Sequence, residues 1–579
     1  MTVLLSGNEA FARGAYEANV KVVSSYPGTP STEITENIKN YKTIYAEWAV
    51  NEKVALEVVA GASLAGKRAM SCMKHVGLNV AADPLMTLSY TGVNGGLVII
   101  VCDDPGMHSS QNEQDSRHYA RFSKLPMFEP SDSMEAKEFL IQAFEISEKF
   151  ECPVLIRSTT RVSHSKSKVE LKEPIKVNEK SIDRNPDKWV MVPANAKKRH
   201  IIVEERLKQL KEYFETLETN ITEISSKNLG FICSGITYQY VKEVFPDASI
   251  FKLASVYPLP INSIKEFISK VEIVYTVEEL DPFIEGELKA AALPIKSINR
   301  PLCGELSPDI LKIIFKKDKK TINNTCRNIP ARPPNLCAGC AHRGIFYAIN
   351  KLKLFVTGDI GCYTLGYLSP LNAIHSCICM GASISMAHGI DKATDGDFSK
   401  KTVAVIGDST FLHTGINGLI NAVYNKACST IIILDNRTTA MTGHQDNPAT
   451  GITLKGESTY KLNFIELARA LGVKNISTID PTDVEKCITI LKEETNKDEL
   501  SLIITTRACI YADKSVISNP HSIEWDKCTG CKLCLRLGCP AISFNTEINK
   551  ASIDQTLCTG CTLCVKVCKF SAISECVYK

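Results

Sequence analysis

The chain has 579 residues, a formal net charge of +3 and 23% charged residues. At about 100–200 residues per domain, this length predicts three to five domains. The net charge is close to neutral, and no basic run includes aromatic residues. The composition therefore gives no indication of a nucleic-acid partner. The N-terminus lacks a basic segment followed by an apolar one. We therefore expect no signal peptide and a cytoplasmic protein.

Two long stretches, residues 84–102 and 360–390, contain no Asp, Glu, Lys or Arg. Their length alone would allow a membrane span. Both are rich in Gly, Ser, Thr and Asn, and the second also carries His375 and His388. We therefore predict buried core beside a cofactor, with no membrane partner.

Short apolar runs alternate with helix-like segments along most of the chain. The runs read as strands at residues 20–23, 96–102, 153–157, 229–233, 271–277, 402–406, 430–434 and 501–505. Buried strands that alternate with helices are typical of parallel sheets in α/β domains.

Three changes in composition indicate domain boundaries. Residues 165–198 are charged and contain prolines, residues 316–335 are basic and then Pro-rich, and residues 512–522 precede a cysteine-rich tail. The predicted units are 1–165, 225–318, 335–512 and 523–579. Residues 166–224 are predicted to be a charged linker segment.

The first unit contains a loop at residues 25–33 that follows a strand and opens a helix. Thr29 is a plausible N-cap there, with Pro30 at the first helical position. The next helix-like segment, residues 47–63, carries three glutamates: Glu47, Glu52 and Glu57.

A metal site is predicted in the unit 335–512. The run at 402–406 ends in Gly407, Asp408 and Ser409, and the run at 430–434 ends in Asp435 and Asn436. The segment between them looks helical, so the two strands are predicted to be parallel neighbours whose ends converge. Hard oxygen ligands at adjacent strand ends can hold Mg²⁺ against a diphosphate. A plain strand end and turn is the alternative.

The tail contains nine of the 23 cysteines, eight of which form two four-cysteine runs. The runs are Cys528-x2-Cys531-x2-Cys534-x4-Cys539 and Cys558-x2-Cys561-x2-Cys564-x3-Cys568. Such runs hold two [4Fe–4S] clusters, and each run supplies its fourth ligand to the other cluster. One cluster is thus predicted on Cys528, Cys531, Cys534 and Cys568, and the other on Cys558, Cys561, Cys564 and Cys539. Paired zinc-binding CxxC units are the alternative.

Both runs depart from the bacterial ferredoxin pattern. The first has one extra residue before its fourth cysteine, and the second lacks the proline that usually follows. We expect the loop near Cys539 to differ from that of a free ferredoxin.

Gly407-Asp408-Ser409, followed by Asp435-Asn436, resembles the motif of thiamine-diphosphate enzymes. The resemblance implies that Asp408, Asn436 and the backbone carbonyl of Thr438 bind Mg²⁺. Five other blocks, at residues 74–79, 106–117, 336–343, 358–363 and 438–443, resemble indolepyruvate ferredoxin oxidoreductase α subunits. These belong to the 2-oxoacid:ferredoxin oxidoreductase superfamily. Ala341 departs from this pattern, which has proline there.

The resemblance implies an α/β fold with four parts. Two parallel-sheet domains bind thiamine diphosphate, a smaller α/β domain similar to the transketolase C-terminal domain lies between them, and a two-cluster ferredoxin domain follows. Glu52 matches the glutamate that contacts the cofactor's pyrimidine nitrogen, with Glu47 and Glu57 as alternatives.

Other residues receive roles from the same resemblance. Thr29, Gly361 and Cys362 are implied to contact the cofactor. His75, His108 and His342 are candidates for proton transfer or for contact with a carboxylate. A buried histidine with a packing role is the alternative for each one.

A third cluster is predicted on Cys337, Cys340, Cys362 and Cys509. The pattern is a CxxC pair, a single cysteine shortly after it, and one near the end of the unit. It resembles the proximal-cluster ligands of pyruvate:ferredoxin oxidoreductases. The alternatives are small buried residues, or a redox or zinc pair at Cys337 and Cys340.

The implied reaction is oxidative decarboxylation of an arylpyruvate, with CoA as acyl acceptor and ferredoxin as electron acceptor. A second, β subunit is expected to carry the family's γ-type domain, in a heterodimer or a larger assembly. The rival functions are a non-oxidative thiamine-diphosphate decarboxylase with a redox tail, and an electron carrier whose α/β part only docks.

Overall fold

A computed structural model describes residues 1–178, 180–316, 333–394 and 398–576. The chain divides into two compact units, Met1–Arg327 and Asn328–Lys579. Most of the predicted boundary at residues 316–335 lies outside the described residues.

The first unit is built on a seven-stranded sheet. Its strands and the flanking ones are β1 Thr2–Ser6, β2 Val22–Ser25, β3 Tyr45–Trp48, β4 Ala69–Lys74, β5 Leu97–Asp103, β6 Met127–Phe128, β7 Val154–Thr159, β8 Lys166–Glu170, β9 Ile221–Glu223, β10 Leu229–Ser234, β11 Ser249–Leu253, β12 Ser255–Tyr257 and β13 Ile273–Val277. The order β12-β6-β7-β5-β4-β2-β3 is parallel except for β12. β4 and β5 are buried along their whole length, as expected of a sheet covered on both faces.

The helices of this unit are α1 Gly7–Glu17, α2 Thr32–Ile38, α3 Glu52–Leu64, α4 His75–Val80, α5 Ala82–Thr91, α6 Arg117–Ser123, α7 Ser133–Phe150, α8 Thr160–His164, α9 Pro186–Trp189, α10 Pro193–Glu215, α11 Ile236–Val244, α12 Ile261–Ser269, α13 Phe283–Ala290 and α14 Pro308–Ile314. A capping box starts α1: Ser6 accepts from the Glu9 backbone while the Glu9 carboxylate accepts from the Ser6 backbone. The Asn51 side chain accepts from the Val54 N–H at 2.9 Å, so Glu52 is the first residue of α3.

The later part of this unit forms a four-stranded sheet, β13-β10-β11-β9, in which only β9 is antiparallel. This segment also contributes β12 to the edge of the seven-stranded sheet. The predicted smaller α/β region is therefore present, and it shares a sheet with the N-terminal region.

Two local predictions for this unit are wrong. Residues 166–224 do not form a simple linker, because α10 is a 23-residue helix that buries Val203, Leu210 and Phe214. Thr29 is not an N-cap: it lies in a turn, and α2 begins at Thr32 after Ser31. Ser31 folds back, and both its backbone N–H and its hydroxyl donate to the Gly28 carbonyl.

The second unit contains a fully parallel five-stranded sheet of order β14-β15-β16-β18-β17. Its strands are β14 Phe355–Thr357, β15 Thr402–Gly407, β16 Thr430–Asp435, β17 Asn475–Ile479 and β18 Ser501–Thr506. Its helices are α15 His342–Leu352, α16 Ala382–Ala393, α17 Asp408–Thr410, α18 Ile416–Tyr424, α19 Phe464–Ala470 and α20 Val484–Thr495. Alternate residues of β15 enter two different apolar cores, so both faces of the sheet are covered.

The cysteine-rich tail consists of two antiparallel ribbons and one short helix. They are β19 His521–Ile523 with β22 Ile573–Glu575, β20 Ile542–Asn545 with β21 Lys550–Ile553, and α21 Leu563–Val567. Its apolar core includes Val484 of α20 and contacts Tyr347 of α15. The tail is therefore packed on the sheet domain within this unit.

The predicted strands at 402–406, 430–434 and 501–505 correspond to β15, β16 and β18, and the five predicted in the first unit correspond to β2, β5, β7, β10 and β13. Residues 84–102 form most of α5 and β5. Among the described residues, no helix has the length and apolar character needed to cross a membrane.

Candidate functional site

Oxygen atoms converge at the carboxyl ends of β15 and β16. The strands are parallel neighbours with Gly407 opposite Leu434, so the residues that follow them lie at one edge. A polar side-chain atom of the Asn436 amide lies 2.9 Å from the Thr438 carbonyl oxygen and 3.2 Å from Asp408 Oδ1. The other carboxylate oxygen of Asp408, Oδ2, is buried and has no hydrogen-bond partner among the described residues. Octahedral Mg²⁺, with oxygens at about 2.0–2.1 Å, spaces neighbouring ligands by about 3 Å.

The electrostatics of this edge also fit a cation. Burial, together with the neighbouring Asp435 carboxylate, raises the pKa of Asp408 to about 7. Burial raises the pKa of Asp435 as well. A buried acid beside a half-buried one is unfavourable without positive charge, and a divalent cation would supply it. The residues therefore fit the magnesium site predicted on Asp408, Asn436 and Thr438.

The loop that carries Gly361 lies beside this edge. A Cβ on Gly407 would fall 2.7 Å from the Tyr363 ring, and a Cβ on Gly361 would fall 2.3 Å from it. The Thr410 hydroxyl donates to the Ile360 carbonyl at 2.9 Å, which ties the loop to α17. Ser409 accepts from the Thr439 hydroxyl. The predicted residues Gly361, Gly407 and Ser409 are thus brought together.

One cavity in the second unit is lined by all four cysteines of the predicted third cluster, Cys337, Cys340, Cys362 and Cys509. The same cavity is lined by Asn436 and His342. The Cys509 N–H donates to the Asn436 carbonyl at 3.0 Å, which connects the cysteine set directly to the proposed magnesium site. Burial, with a smaller contribution from neighbouring thiols, raises the pKa of Cys340 to about 12 and that of Cys362 to about 11.

The tail contains two further cysteine cavities. One is lined by Cys528, Cys531, Cys534 and Cys568, and the other by Cys539, Cys558, Cys561 and Cys564. These are the two ligand sets predicted from the spacing, including the exchange of the fourth cysteine. The Cys534 thiol lies close enough to Cys564 to help raise the pKa of Cys564, so the two sets are neighbours.

The distances between sulfurs disfavour zinc. A single tetrahedral zinc, with Zn–S bonds of about 2.3 Å, would hold its sulfurs about 3.8 Å apart. In the described parts of the chain, the one trio of His, Cys, Asp or Glu with ligand atoms within 4.8 Å of one another is Asp115, His118 and Asp281. Among the described residues, no predicted cysteine set brings three sulfurs within 4.8 Å of one another, which does not match a single zinc ion.

The first unit places Glu52 differently from its two neighbours. Glu52 is 5% exposed, and a Cβ on Gly77 would lie 2.7 Å from its Oε1 atom. Glu47 accepts from the Ser24 and Tyr45 hydroxyls, and Glu57 is exposed and paired with Lys53. Of the three glutamates, Glu52 alone is buried, which favours it as the residue that meets a buried ligand.

Lys74 and His75 lie beside Glu52. The Lys74 side chain packs on Gly28 and donates to the Ser109 carbonyl at 2.7 Å. Burial lowers the pKa of Lys74 to about 8, while the Asp104 and Glu52 carboxylates oppose that change. His75 Nε2 lies 3.1 Å from the Asn112 carbonyl oxygen, and its buried Nδ1 has no hydrogen-bond partner in the part of the chain that the structure describes. An orphaned nitrogen of this kind is available to a ligand.

The other histidines differ. His108 is half exposed and pairs with Glu305 at 3.2 Å, so its contacts are those of a surface residue. His342 is buried, packs edge-on against Tyr363 and lines the four-cysteine cavity; burial lowers its pKa to about 4. Thr29 is half-buried in the turn before α2.

Sequence reasoning assigned no role to two residues that the structure places at these sites, Lys74 and Arg343. Lys74 is the last residue of the buried strand β4. A lysine at the end of an apolar run can be recognised in the sequence, so Lys74 could have been proposed as a site residue. Arg343 follows the CxxC pair, but its burial and its contacts depend on chain segments almost 200 residues away.

Three family models match the chain in the order of these regions. Residues 13–226 match the thiamine-diphosphate-binding model of pyruvate flavodoxin/ferredoxin oxidoreductases, residues 359–505 match the C-terminal TPP-binding domain of thiamine pyrophosphate enzymes, and residues 521–569 match a 4Fe-4S dicluster domain. Fold and matches together define a 2-oxoacid:ferredoxin oxidoreductase that uses thiamine diphosphate and [4Fe–4S] clusters.

Curated relatives narrow this class. The indolepyruvate oxidoreductase subunit IorA of Pyrococcus horikoshii is 39% identical over 99% of this chain and 97% of its own length, and that of Archaeoglobus fulgidus is 40% identical over the same shares. The chain belongs to this IorA family. A solved 2-oxoglutarate:ferredoxin oxidoreductase from Magnetococcus marinus aligns with 55% of this chain and 65% of its own, at 17% identity and a TM-score of 0.48.

Proposed function

We propose that this chain is the catalytic subunit of an enzyme that oxidatively decarboxylates arylpyruvates of the indolepyruvate type. The products are an aryl-acetyl-CoA and CO2, and the electrons pass to ferredoxin. One observation supports this most strongly. Cys509, which lines the four-cysteine cavity, donates a backbone hydrogen bond to Asn436 of the proposed magnesium site. A non-oxidative decarboxylase has no use for a redox centre at this position.

Each part of the site has a proposed task. Asp408, Asn436 and the Thr438 carbonyl hold Mg²⁺ against the diphosphate. Thiamine diphosphate, when bound, supplies the electron sink for the bond that releases CO2. Glu52 hydrogen-bonds the pyrimidine ring of the cofactor. His75, whose buried Nδ1 has no partner among the residues described, contacts the substrate carboxylate.

The cysteine sets define a route for the electrons. The set that includes Cys337 lies next to the proposed magnesium site, the set that includes Cys539 follows, and the set that includes Cys531 lies in the outer part of the tail. Contacts along the route support this order: Gly339 packs against Thr559, and Cys564 neighbours Cys534. Each cluster carries one electron at a time, so two transfers complete one turnover.

A second subunit is part of the proposal. The relatives are named as subunits, and the three matched models contain no γ-type domain. We propose that a β subunit carries this domain and completes the CoA site. Co-expression with a candidate β chain, followed by sedimentation analysis, tests the assembly; a chain that turns over with CoA by itself contradicts it.

The reaction is tested by anaerobic turnover of indolepyruvate with the complete complex. Omitting either CoA or the electron acceptor should stop turnover. Aldehyde formed without both would identify a non-oxidative decarboxylase, and failure to bind thiamine diphosphate would identify a simple carrier.

The third cluster is tested by iron analysis. Three cubanes predict about 12 iron atoms per chain and two predict about 8, at four each. Cys337→Ser should lower iron by about four atoms, whereas Cys428→Ser, a cysteine of the same domain outside the set, should leave it unchanged. About eight atoms in the unaltered, anaerobically prepared protein would exclude the third cluster.

A further inference from the structure

Arg343 is a buried cation between two of the cysteine sets. It is the second residue of α15 and is 1% exposed. No carboxylate in the described parts of the chain forms an ion pair with it. Burial lowers the pKa of Arg343, and the strongest opposing interactions come from the thiols of Cys340, Cys539, Cys337 and Cys561.

Within the described residues, the guanidinium donates only to backbone carbonyls, and these come from two loops. On one side it donates to Leu336 and, at 3.1 Å, to Cys337. On the other side it donates to Leu537 at 2.9 Å and to Gly538 at 2.6 Å. The first loop carries the CxxC pair of the proposed third cluster, and the second loop leads into Cys539.

The extra residue in the first tail run now has a structural explanation. Cys534–Leu537 forms a 3-10 turn, and Gly538 follows in the left-handed region with φ of +63°. A Cβ there would fall 2.9 Å from Pro370 Cδ and 3.3 Å from Arg343 Nη1. The four-residue spacing before Cys539 thus lets two successive carbonyls face Arg343, and glycine suits the turn.

The two cysteine sets also touch through their loops. A Cβ on Gly339 would fall 1.9 Å from Thr559 Oγ1, so the CxxC loop packs directly on the second tail run. Arg343 therefore links the CxxC loop to the loop that leads into Cys539, while the CxxC loop also contacts the second tail run. The Arg343 side chain also lines the cavity of Cys539, Cys558, Cys561 and Cys564.

A buried cation without a counter-charge is strongly unfavourable. Hydrogen bonds to neutral carbonyls leave that charge uncompensated. A cubane with four thiolates is an anion whose charge grows by one unit on reduction, and its potential responds to nearby charge and hydrogen bonds. The cysteine sets on either side would supply the missing negative charge.

We propose that Arg343 is the shared counter-cation of these two clusters and raises the reduction potential of both. This rests on the proposed third cluster. In the transfer step, one electron leaves the reduced cluster on Cys337, Cys340, Cys362 and Cys509 and enters the oxidised cluster on Cys539, Cys558, Cys561 and Cys564. The cation stabilises the electron at either position, so it keeps the two potentials matched.

The test is a redox titration followed by electron paramagnetic resonance on anaerobic protein. Arg343→Gln should shift two cluster signals to lower potential by similar amounts and leave the third signal, from the Cys528 set, unchanged. Arg536→Gln removes an exposed cation from the same tail turn and should shift none, because solvent screens it. Unchanged potentials in Arg343→Gln with full iron content would overturn the proposal.

Arg343→Lys covers the case in which the Gln variant loses iron. It keeps the charge but cannot serve four carbonyls, so potentials close to those of the unaltered protein support the counter-cation role. Iron loss in both variants would show that Arg343 only holds the loops, which overturns the proposal. About eight iron atoms in the unaltered protein would instead refute the third cluster of the proposed function.

Discussion

Glu52 begins α3 in a buried position, and its carboxylate packs against Gly77. Replacing it with Gln preserves the shape but removes the acid that the pyrimidine ring is proposed to meet. We expect Glu52→Gln to keep thiamine diphosphate bound and to slow exchange of its C2 proton by about 10²–10⁴-fold, the usual contribution of acid–base assistance. Proton exchange can be followed by quenched-flow NMR.

Glu47→Gln provides the matched control. Glu47 accepts hydrogen bonds from Ser24 and Tyr45, so its loss should affect local packing and leave C2 exchange unchanged. If Glu52→Gln exchanges at the normal rate, the role belongs to Glu47 or Glu57.

Asp408 is the buried carboxylate of the proposed magnesium site. Asp408→Asn keeps the volume but removes the charge that attracts the cation. Loss of an outer-shell partner of a metal typically lowers affinity by about 10–100-fold. Because Asp408 is a proposed direct ligand, we expect thiamine diphosphate affinity in the presence of Mg²⁺ to fall by at least that factor. Calorimetric titration measures the change. Asp435→Asn removes a neighbouring charge without removing a proposed ligand, and an equal loss there would contradict the assignment.

The cysteine sets were predictable because spacing along the chain constrains which sulfurs can surround one cluster. The sets lining the two tail cavities are those that the spacing predicts. Arg343 was not predictable, because its acceptors Leu537 and Gly538 are far away in sequence. Nor does a sequence show that Glu52 is buried while Glu57 is exposed.

At the scale of elements, the strands were the most predictable parts. A short continuous apolar run, such as the one that forms β16, is readily recognised as a buried strand in an α/β chain. α10 was missed because its buried residues are sparse among lysines and glutamates, which gives a weak helical period. The start of α2 was misplaced because Ser31 caps the preceding turn rather than the helix.

The contact between α3 and α4 provides a test at this scale. A methyl group on Gly77 would lie 2.7 Å from both Cγ and Oε1 of Glu52, so the whole Glu52 side chain would have to move. We therefore expect Gly77→Ala to fold normally but to displace the carboxylate. A shift of about 1 Å can cost up to 10²-fold in rate, so C2 exchange should slow while the melting temperature stays unchanged. Normal exchange would show that the Glu52 position is not critical.

At the scale of the molecule, the cysteine-rich tail was expected to be a module behind a linker. The tail has its own two ribbons, and each of the two predicted cysteine sets lines a cavity of its own. Its core nevertheless includes Val484 and contacts Tyr347 of the sheet domain, and both regions belong to one compact unit. The sequence could not show this packing, because an exposed linker and a docked one have the same composition.

Cys531→Ala tests how far the tail acts separately. Cys531 is exposed and lies in the outer cluster set, away from Arg343 and the sheet domain. We expect loss of about four iron atoms per chain, with thiamine diphosphate binding unchanged.

In the Cys531→Ala variant, electron transfer to ferredoxin and electron transfer to a small acceptor should respond differently. Reduction of ferredoxin with indolepyruvate should fall sharply, while reduction of a small artificial acceptor should continue through the remaining clusters. Cys576→Ala, which alters a tail cysteine outside both sets, is the control and should behave like the unaltered protein. If Cys531→Ala also abolishes thiamine diphosphate binding, the tail and the sheet domain fold as one unit, and the outer cluster is needed to form the cofactor site.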